Sequence, residues 1–306
     1  VIAEYLDHYY DHFSGRRSAT PPVFEKDQCY MMRFCTKLPY YRFNNSNLTI
    51  VHFKQGSGEF VVGNKSFKMG AEKFIVLNPG VDWEFINHKL DYIDVLSMVV
   101  SDTFQEQFSH YTKASSTKLL DDPQKRDREK PYFIEQAFRA ENYRSGRLLE
   151  AIYALSNHKK HALKCADEHC IEVLKALYAD QKKGYDLASR IEAKKSSTKM
   201  ETLKRLLIVN EYINDNLEKD ISFTELSQVS ALSRFHLYSS FKNVFGQTPH
   251  QYINSLKMSR AKSYLEKGQF SIGEIADFLG YGDISVFGKV FKKRYGHCPS
   301  DFRTDS

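Results

Sequence analysis

The chain has 306 residues, 42% apolar and 27% charged, which at about 100–200 residues per domain implies two or three folded domains rather than one core. The longest nearly apolar run, Val95–Val100, falls far short of the roughly 20 residues of a membrane-spanning helix, so a helical membrane protein is excluded and the run reads as a buried strand. A net charge of +6, from 44 basic and 38 acidic side chains, is compatible with a polyanionic partner without demonstrating one.

At the start, Ile2, Tyr5, Leu6, Tyr9 and Phe13 recur at helical spacing, and Ser14–Pro22 reads as a loop or arm. Glu4, Asp7 and Asp11 interrupt the apolar residues of this segment, unlike a secretory leader, so the expected location is cytoplasmic. Cys29, Cys35, Cys165, Cys170 and Cys298 are odd in number and contain no CxxC pair, which argues for a reducing compartment over a disulfide framework.

From Asp27 to Val100, short β-branched and aromatic runs alternate with turn residues. They are Tyr30–Cys35, Leu48–Lys54, Glu59–Val62, Phe74–Leu77, Trp83–Ile86 and Ile93–Val100, separated by signals such as Gly56-Ser57-Gly58 and Gly63-Asn64. This spacing predicts an antiparallel barrel or jelly roll over 1–100. After Ser101, helical periods take over at Thr103–Tyr111, Tyr132–Tyr143 and Leu148–Leu155, with a charged loop over Asp121–Lys130. Leu163, Ala166, Cys170, Val173 and Leu177 follow a 3-4-3-4 spacing, which fits either an intramolecular helix pair or a dimer seam. The segment 101–197 is therefore a helical connector, with Glu192–Lys199 as hinge to a final domain over 198–306.

That last domain contains a repeat. Glu225-Leu226-Ser227 recurs as Glu274-Ile275-Ala276, Phe241-Lys242 as Phe291-Lys292, Gly246 as Gly296 and Pro249 as Pro299. The offset is 49 before the turn and 50 after it, so the second copy carries one extra residue near Tyr281-Gly282-Asp283. Ser233 and Asp283 stand where N-caps belong, Gly246 and Gly296 where left-handed residues end helices, and Pro249 and Pro299 at first helical positions, Pro249 behind Thr248. Each copy predicts a helix-turn-helix. Pro249–Lys267 between them reads as one helix of about 28 Å, which would set two recognition helices about one DNA turn apart. No acid occurs from Leu226 to Leu265 or from Ile284 to Ser300, leaving basic faces on both copies.

Residues 221–303 resemble the DNA-binding domain of the arabinose-regulator (AraC/XylS) family. The resemblance is carried by Phe-Lys-x-x-Phe-Gly-x-Thr-Pro at 241–249, Ala261-x-x-x-Leu265, Ile272-x-Glu274-Ile275-Ala276, Gly280-Tyr281-x-Asp283 and Phe291-Lys292-Lys293-x-Tyr295-Gly296-x-x-Pro299. Gly56-Ser57-Gly58, Gly70 and Asn78-Pro79-Gly80 are similar to that family's cupin-like effector domain. The implied fold class is α+β multidomain: a cupin-like antiparallel barrel, a helical dimerisation connector and an all-α double helix-turn-helix.

The resemblance turns Arg234, Phe235, Tyr238, Ser239, Lys242 and Asn243 toward DNA in the first copy, and Ile284, Ser285, Lys289, Lys292 and Lys293 in the second. Arg234 and Lys242 suit phosphates, whereas Phe235 and Tyr238 either touch thymine methyls or pack on a neighbouring helix. In the barrel, Trp83 and Phe85 share a strand face suited to stacking on a ring, and Arg33, His52, Lys54 and Asp94 are candidate polar contacts for a small-molecule effector. A cupin metal site needs two histidines one residue apart plus a carboxylate and a further histidine; His52 is isolated, and Trp83 stands roughly where the later histidine would fall. His158, His161, Cys165 and His169 lie along one straight helical stripe that closes no tetrahedron. No metal, cofactor or catalytic residue is therefore expected. The expected function is an effector-responsive transcription regulator, with double-stranded DNA, a second copy of the chain and, for an activator, RNA polymerase as partners. The alternatives are a cupin-type metalloenzyme fused to a DNA-targeting module, or a constitutive regulator whose barrel binds protein.

Overall fold

The computed structural model describes residues 8–11, 16–18, 29–37, 39–43, 47–63, 65–113, 132–155 and 166–303. The chain divides into two compact units, Val1–Lys183 and Gly184–Ser306.

In the first unit, eleven described strands form two antiparallel sheets. The larger has the order β11 (Ala137–Arg139), β8 (Lys73–Leu77), β5 (Leu48–Gln55), β10 (Ile93–Val100), β3 (Tyr30–Thr36), β1 (His8–Asp11) and β2 (Arg16–Ser18). The smaller runs β4 (Tyr40–Phe43), β9 (Trp83–Ile86), β6 (Gly58–Val62) and β7 (Lys65–Met69). No hydrogen-bonded pairing joins the two sheets among the described residues, so the expected barrel is not closed.

Side-chain alternation explains this arrangement. Val51 and Phe53 of β5, Ile75 and Leu77 of β8 and Val95 of β10 point at Phe60, Val62, Trp83 and Phe85 of the smaller sheet, forming the core between the layers. The even-numbered residues of the same strands, Ile50, His52, Phe74, Val76, Leu96 and Met98, are equally buried on the opposite face. Helix α2 (Arg144–Leu155) covers part of that face, with Tyr153 edge-on to His52 at 6.4 Å. A sheet covered on both sides reads as continuous apolar runs, as β5 and β10 do.

Other ties hold the connector to the large sheet. The buried amide of Asn78 accepts from Phe133 N at 2.9 Å and donates to Phe133 O at 2.8 Å. Gln181, on α3 (Ala166–Ser189), accepts from Ile134 N, and Asp180 accepts from Ser145 N and Oγ. Cys170, Val173, Leu174 and Leu177 of α3 are buried within the chain, which fills the 3-4 seam from inside and supports the intramolecular reading.

Two helical expectations fail. Residues 8–11 pair with both β2 and β3, with Tyr9 opposite Ser18 and Phe34, so their backbone groups are used in sheet ladders instead of a helix. Within Tyr132–Tyr143, Ala137–Arg139 pairs with Lys73–Ile75 of β8 as a strand, followed by one 3₁₀ turn over Ala140–Asn142. Thr103–Tyr111 does fold as helix α1 (Asp102–Lys113). The loop expected at Asp121–Lys130 lies outside the described residues, as do Leu163, His158, His161 and Cys165.

The second unit is helical: α4 (Ser196–Asp215), α5 (Phe223–Ser230), α6 (Arg234–Phe245), α7 (Pro249–Lys267), α8 (Ile272–Phe278), α9 (Ile284–Tyr295) and a 3₁₀ turn over Pro299–Phe302. Its second half packs around Met258, Ala261, Leu265, Ile275, Phe287 and Phe291.

Burial pushes His52 down to about 4 from an ordinary 6.5. The unfolded chain therefore takes up a proton at higher pH than the folded one, and stability is intact above pH 6.5 but lost as the pH falls from there toward 4. Urea unfolding followed by the fluorescence of Trp83, the chain's single tryptophan, should show the sheet unit about 2 kcal/mol weaker at pH 5 than at pH 7. His52→Leu should remove most of that difference.

Candidate nucleic-acid interface

Helices of seven to twelve residues such as α5, α6, α8 and α9 are marginal alone, and their ends carry unpaired backbone groups. Side chains satisfy these groups in matching places. Ser222, Ser271 and Thr248 form reciprocal capping boxes with Glu225, Glu274 and Gln251. Ser233 Oγ accepts from His236 N, and Asp283 Oδ1 accepts from Ser285 N at 2.6 Å. The Ser285 backbone bond holds the Asp283 carboxyl below its ordinary range. Gly246 and Gly296 end α6 and α9 in the left-handed conformation, each N–H donating back to Lys242 O or Lys292 O. α6 and α9 are thus superposable in sequence at an offset of 50, each twelve residues long.

With Leu237, Ser240, Phe241 and Val244 buried, α6 turns a different stripe to solvent. Arg234, Phe235, Tyr238 and Lys242 are exposed, while Ser239 and Asn243 are half-buried at its edge. Phe235 is 83% exposed, so it does not pack on the neighbouring helix; Tyr238 is 47% exposed and leans edge-on against Phe223. Arg234 donates to Thr224 Oγ1, which fixes its guanidinium beside the start of α5.

In the second copy Phe287 and Phe291 face inward, and Ile284, Ser285, Lys289, Lys292 and Lys293 are all exposed. Lys292, Lys293 and Arg294 occupy the last turn, where the helix dipole favours cations. The exposed apolar pair Ile284 and Val286 flanks Ser285. Val286 was not expected here, although its place between Ser285 and the inward Phe287 was available from the helical period.

Sequence reasoning also missed the residues that aim these helices. Arg205 of α4 donates to Ala231 O in the first turn and pairs with Glu201. Tyr212 donates to Glu225, the capping-box acid. The Ser-x-x-Glu pairs at 222 and 271 were readable signals for the capping boxes; the bond from Arg205 to Ala231 was not, because it joins residues 26 positions apart.

The effector candidates fall on two faces. Trp83 and Phe85 lie between the sheets, with Trp83 5.2 Å from both Phe43 and Phe60 between ring centroids. Arg33, His52 and Asp94 lie on the other face of the large sheet, under α2, and Lys54 is exposed at a strand end near Glu72. The six residues do not line one pocket, because odd and even positions of β5 and β10 face opposite ways. Arg33 holds Asp94 with two bonds, at 3.0 and 2.6 Å, and its guanidinium lies 4.1 Å from the Tyr153 ring centre. Tyr153 donates to Asp94 at 2.6 Å. Burial alone would raise the Asp94 carboxyl, but these bonds hold it below its ordinary range. Burial pushes the adjacent Cys35 thiol up to about 11. No group of three or more His, Cys, Asp or Glu is placed to hold a metal among the described residues.

Residues 226–305 match a family model described as a helix-turn-helix domain. Over 105 residues the chain is 35% identical to the probable transcriptional regulator LumQ of Photobacterium leiognathi, covering 34% of this chain and 42% of that protein. Over 110 residues it is 30% identical to the bifunctional transcriptional activator/DNA repair enzyme AdaA of Bacillus subtilis, covering 36% of this chain and 52% of that one. The chain thus spans about half, or less, of the length of these curated relatives. A solved structure of ToxT from Vibrio cholerae covers 90% of this chain and 97% of its own at 17% identity, with a TM-score of 0.34, too loose a superposition to bear on fold or function. Two capped helix-turn-helix units with outward basic faces define a DNA-binding domain. Residues 226–305 are a helix-turn-helix domain of the arabinose-regulator (AraC) type.

Ala231, in the first turn, is left-handed at φ 50°, a conformation that costs a residue with a Cβ. Ala231→Gly should stabilise the helical unit by about 0.5–1 kcal/mol, read by thermal unfolding of the full chain.

Proposed function

We propose that the chain is a transcription regulator that reads two adjacent major-groove segments of DNA with α6 and α9 and responds to a small molecule bound in its sheet unit. The observation that carries the DNA half is the repeat itself: two helices of identical length, each with a side-chain N-cap and a left-handed glycine at its end, one before and one after the 19-residue α7, each presenting exposed side chains on the face opposite its buried aromatics. α7 spans about 28 Å, close to the separation of successive major grooves on one side of a duplex. In this reading Tyr238, Ser239 and Asn243 read base edges with Phe235, and Arg234 and Lys242 hold phosphates. In the second segment Lys289 makes base or phosphate contact, Lys292 and Lys293 hold backbone, and Ile284 and Ser285 touch the groove. Ile284 cannot hydrogen-bond and Gly288 offers no side chain, so this half reads shape more than sequence.

For the sensor half, the aromatic cluster of Tyr41, Phe43, Phe60 and Trp83 between the sheets has the chemistry to stack on a flat apolar or aromatic effector that parts its rings. The indole N–H of Trp83 is buried without a hydrogen-bond partner and would meet an acceptor on such a molecule. Arg33 is already engaged by Asp94 and Tyr153, which argues against the opposite face. A cytoplasmic homodimer without catalytic activity, acting on RNA polymerase when it activates, completes the proposal.

Duplexes selected from a random pool by the full chain provide the test. Lys289→Ala and Tyr238→Ala should each weaken binding to the selected duplex by about fivefold or more, and Lys292→Ala should flatten the salt dependence by about one counterion. Unchanged binding in all three rejects the assigned faces. A thermal-shift screen of the full chain against sugars, aromatic acids, nucleotides, lipids and divalent metals should give a saturable rise with one organic class. If that compound leaves duplex affinity unaltered, the constitutive reading replaces the sensor.

A further inference from the structure

The two helix-turn-helix units are joined by more than α7. The loop 216–221, which leads from α4 into the first unit, also touches the turn of the second. Within this loop Lys219 N donates to Asn216 O at 2.9 Å, Lys219 Nζ donates to Asn216 Oδ1 at 3.2 Å, and Leu217 is buried, so its backbone is well fixed. Against it stands Gly280, left-handed at φ 69°; a Cβ built there would lie 2.5 Å from Glu218 O. Between loop and turn runs the side chain of Lys257, from the middle of α7. It is only 7% exposed, its Nζ donates to Lys219 O at 3.2 Å, and it lies 5.5 Å from the centre of the Tyr281 ring.

A lysine buried in this manner is unusual, since its ammonium gives up water for one carbonyl and one ring face. On an acid-free basic stretch it would ordinarily be read as a phosphate contact. The geometry excludes that role for Lys257 and gives it another.

The first unit supplies an internal control. Ala231 stands at the position matching Gly280, one offset of 49 earlier, and is also left-handed, at φ 50°. The turn conformation thus tolerates a methyl group; what bars one at position 280 is the Glu218 carbonyl.

We propose that Lys257 is a specificity-determining positioning residue: by clamping the 218–219 backbone to the Gly280-Tyr281 turn, it fixes the separation and rotation of the two recognition helices, and so the number of base pairs between the DNA segments they read. The proposal rests on the DNA reading above. Each added base pair moves the second segment by about 3.4 Å and turns it by about 35°, so a rigid pair of helices accepts one spacing.

The test uses the full chain and a duplex selected by it from a random pool, rebuilt with one base pair inserted or removed between the two selected segments. The unaltered protein should lose about tenfold or more in affinity for either change. Lys257→Met, which keeps the buried stem and removes the donor, should bind the optimal duplex more weakly yet lose less than about threefold on insertion or removal. Gly280→Ala, which displaces the Glu218 carbonyl by a methyl group, should flatten the dependence in the same way and serves if Lys257→Met does not fold. Amide exchange without DNA should quicken at 217–220 and 280–281 in either variant, with Leu237 and Phe241 in α6 unaffected. A spacing dependence as sharp as the parent's in a folded variant overturns the clamp while leaving the DNA reading intact. Failure of the unaltered chain to enrich any duplex overturns both.

Discussion

Everything the helical unit presents to the outside depends on closing the open hydrogen bonds at the ends of short helices. A twelve-residue helix has too few internal bonds to persist in water, and its first amides and last carbonyls must find partners. Ser222, Ser233, Thr248, Ser271 and Asp283 supply these at the N-termini, and Gly246 and Gly296 turn the chain back at two C-termini. The aromatic interiors around Phe241 and around Phe287 and Phe291 then do the packing. Because structure is secured at the ends and on the inner stripe, the outer stripe of α6 carries little structural duty beyond the Arg234–Thr224 bond and the Tyr238–Phe223 contact, and an aromatic such as Phe235 can stand in solvent.

The sheet unit meets a different constraint. Its large sheet is buried on both faces, by the smaller sheet on one side and in part by α2 on the other. On the face under α2, Arg33, Asp94 and Tyr153 satisfy one another in a closed set of bonds, whereas the buried His52 ring does not find a partner. The inter-sheet layer is instead dominated by rings, whose packing leaves the Trp83 N–H unanswered. Both faces thus keep an unanswered buried polar group, the His52 ring nitrogens on one and the Trp83 N–H on the other, while Arg33, Asp94 and Tyr153 satisfy one another.

What the sequence disclosed followed from locality. The caps at Ser233, Thr248 and Asp283 and the bounds of Pro249–Lys267 are set by residues within a few positions of one another, the same local signals recur at offsets of 49 and 50, and the structure reproduces them. The strands Trp83–Ile86 and Ile93–Val100 were equally plain from β-branched and aromatic runs. Non-local pairing was not legible. Ile2, Tyr5, Leu6 and Tyr9 are spaced as a helical stripe is, yet residues 8–11 are claimed by β3, some 24 positions away. Which parity of β5 faces the smaller sheet was hidden because both faces are apolar, and this split the effector candidates between two surfaces. Lys257 looked like one more basic residue until a loop 38 positions earlier was found against it.

The contrast between positions 231 and 280 bears on how two copies of one motif diverge. Both turns adopt the same left-handed step, but around Ala231 the space admits a side chain, whereas at Gly280 a neighbouring carbonyl fills it. Substitutions arising in the first turn meet only a modest conformational cost and can persist. Those in the second must move the backbone of the loop that leads into the first copy. The halves therefore share a fold but not an equal tolerance of side chains: position 231 already carries a methyl group, and position 280 has room for none.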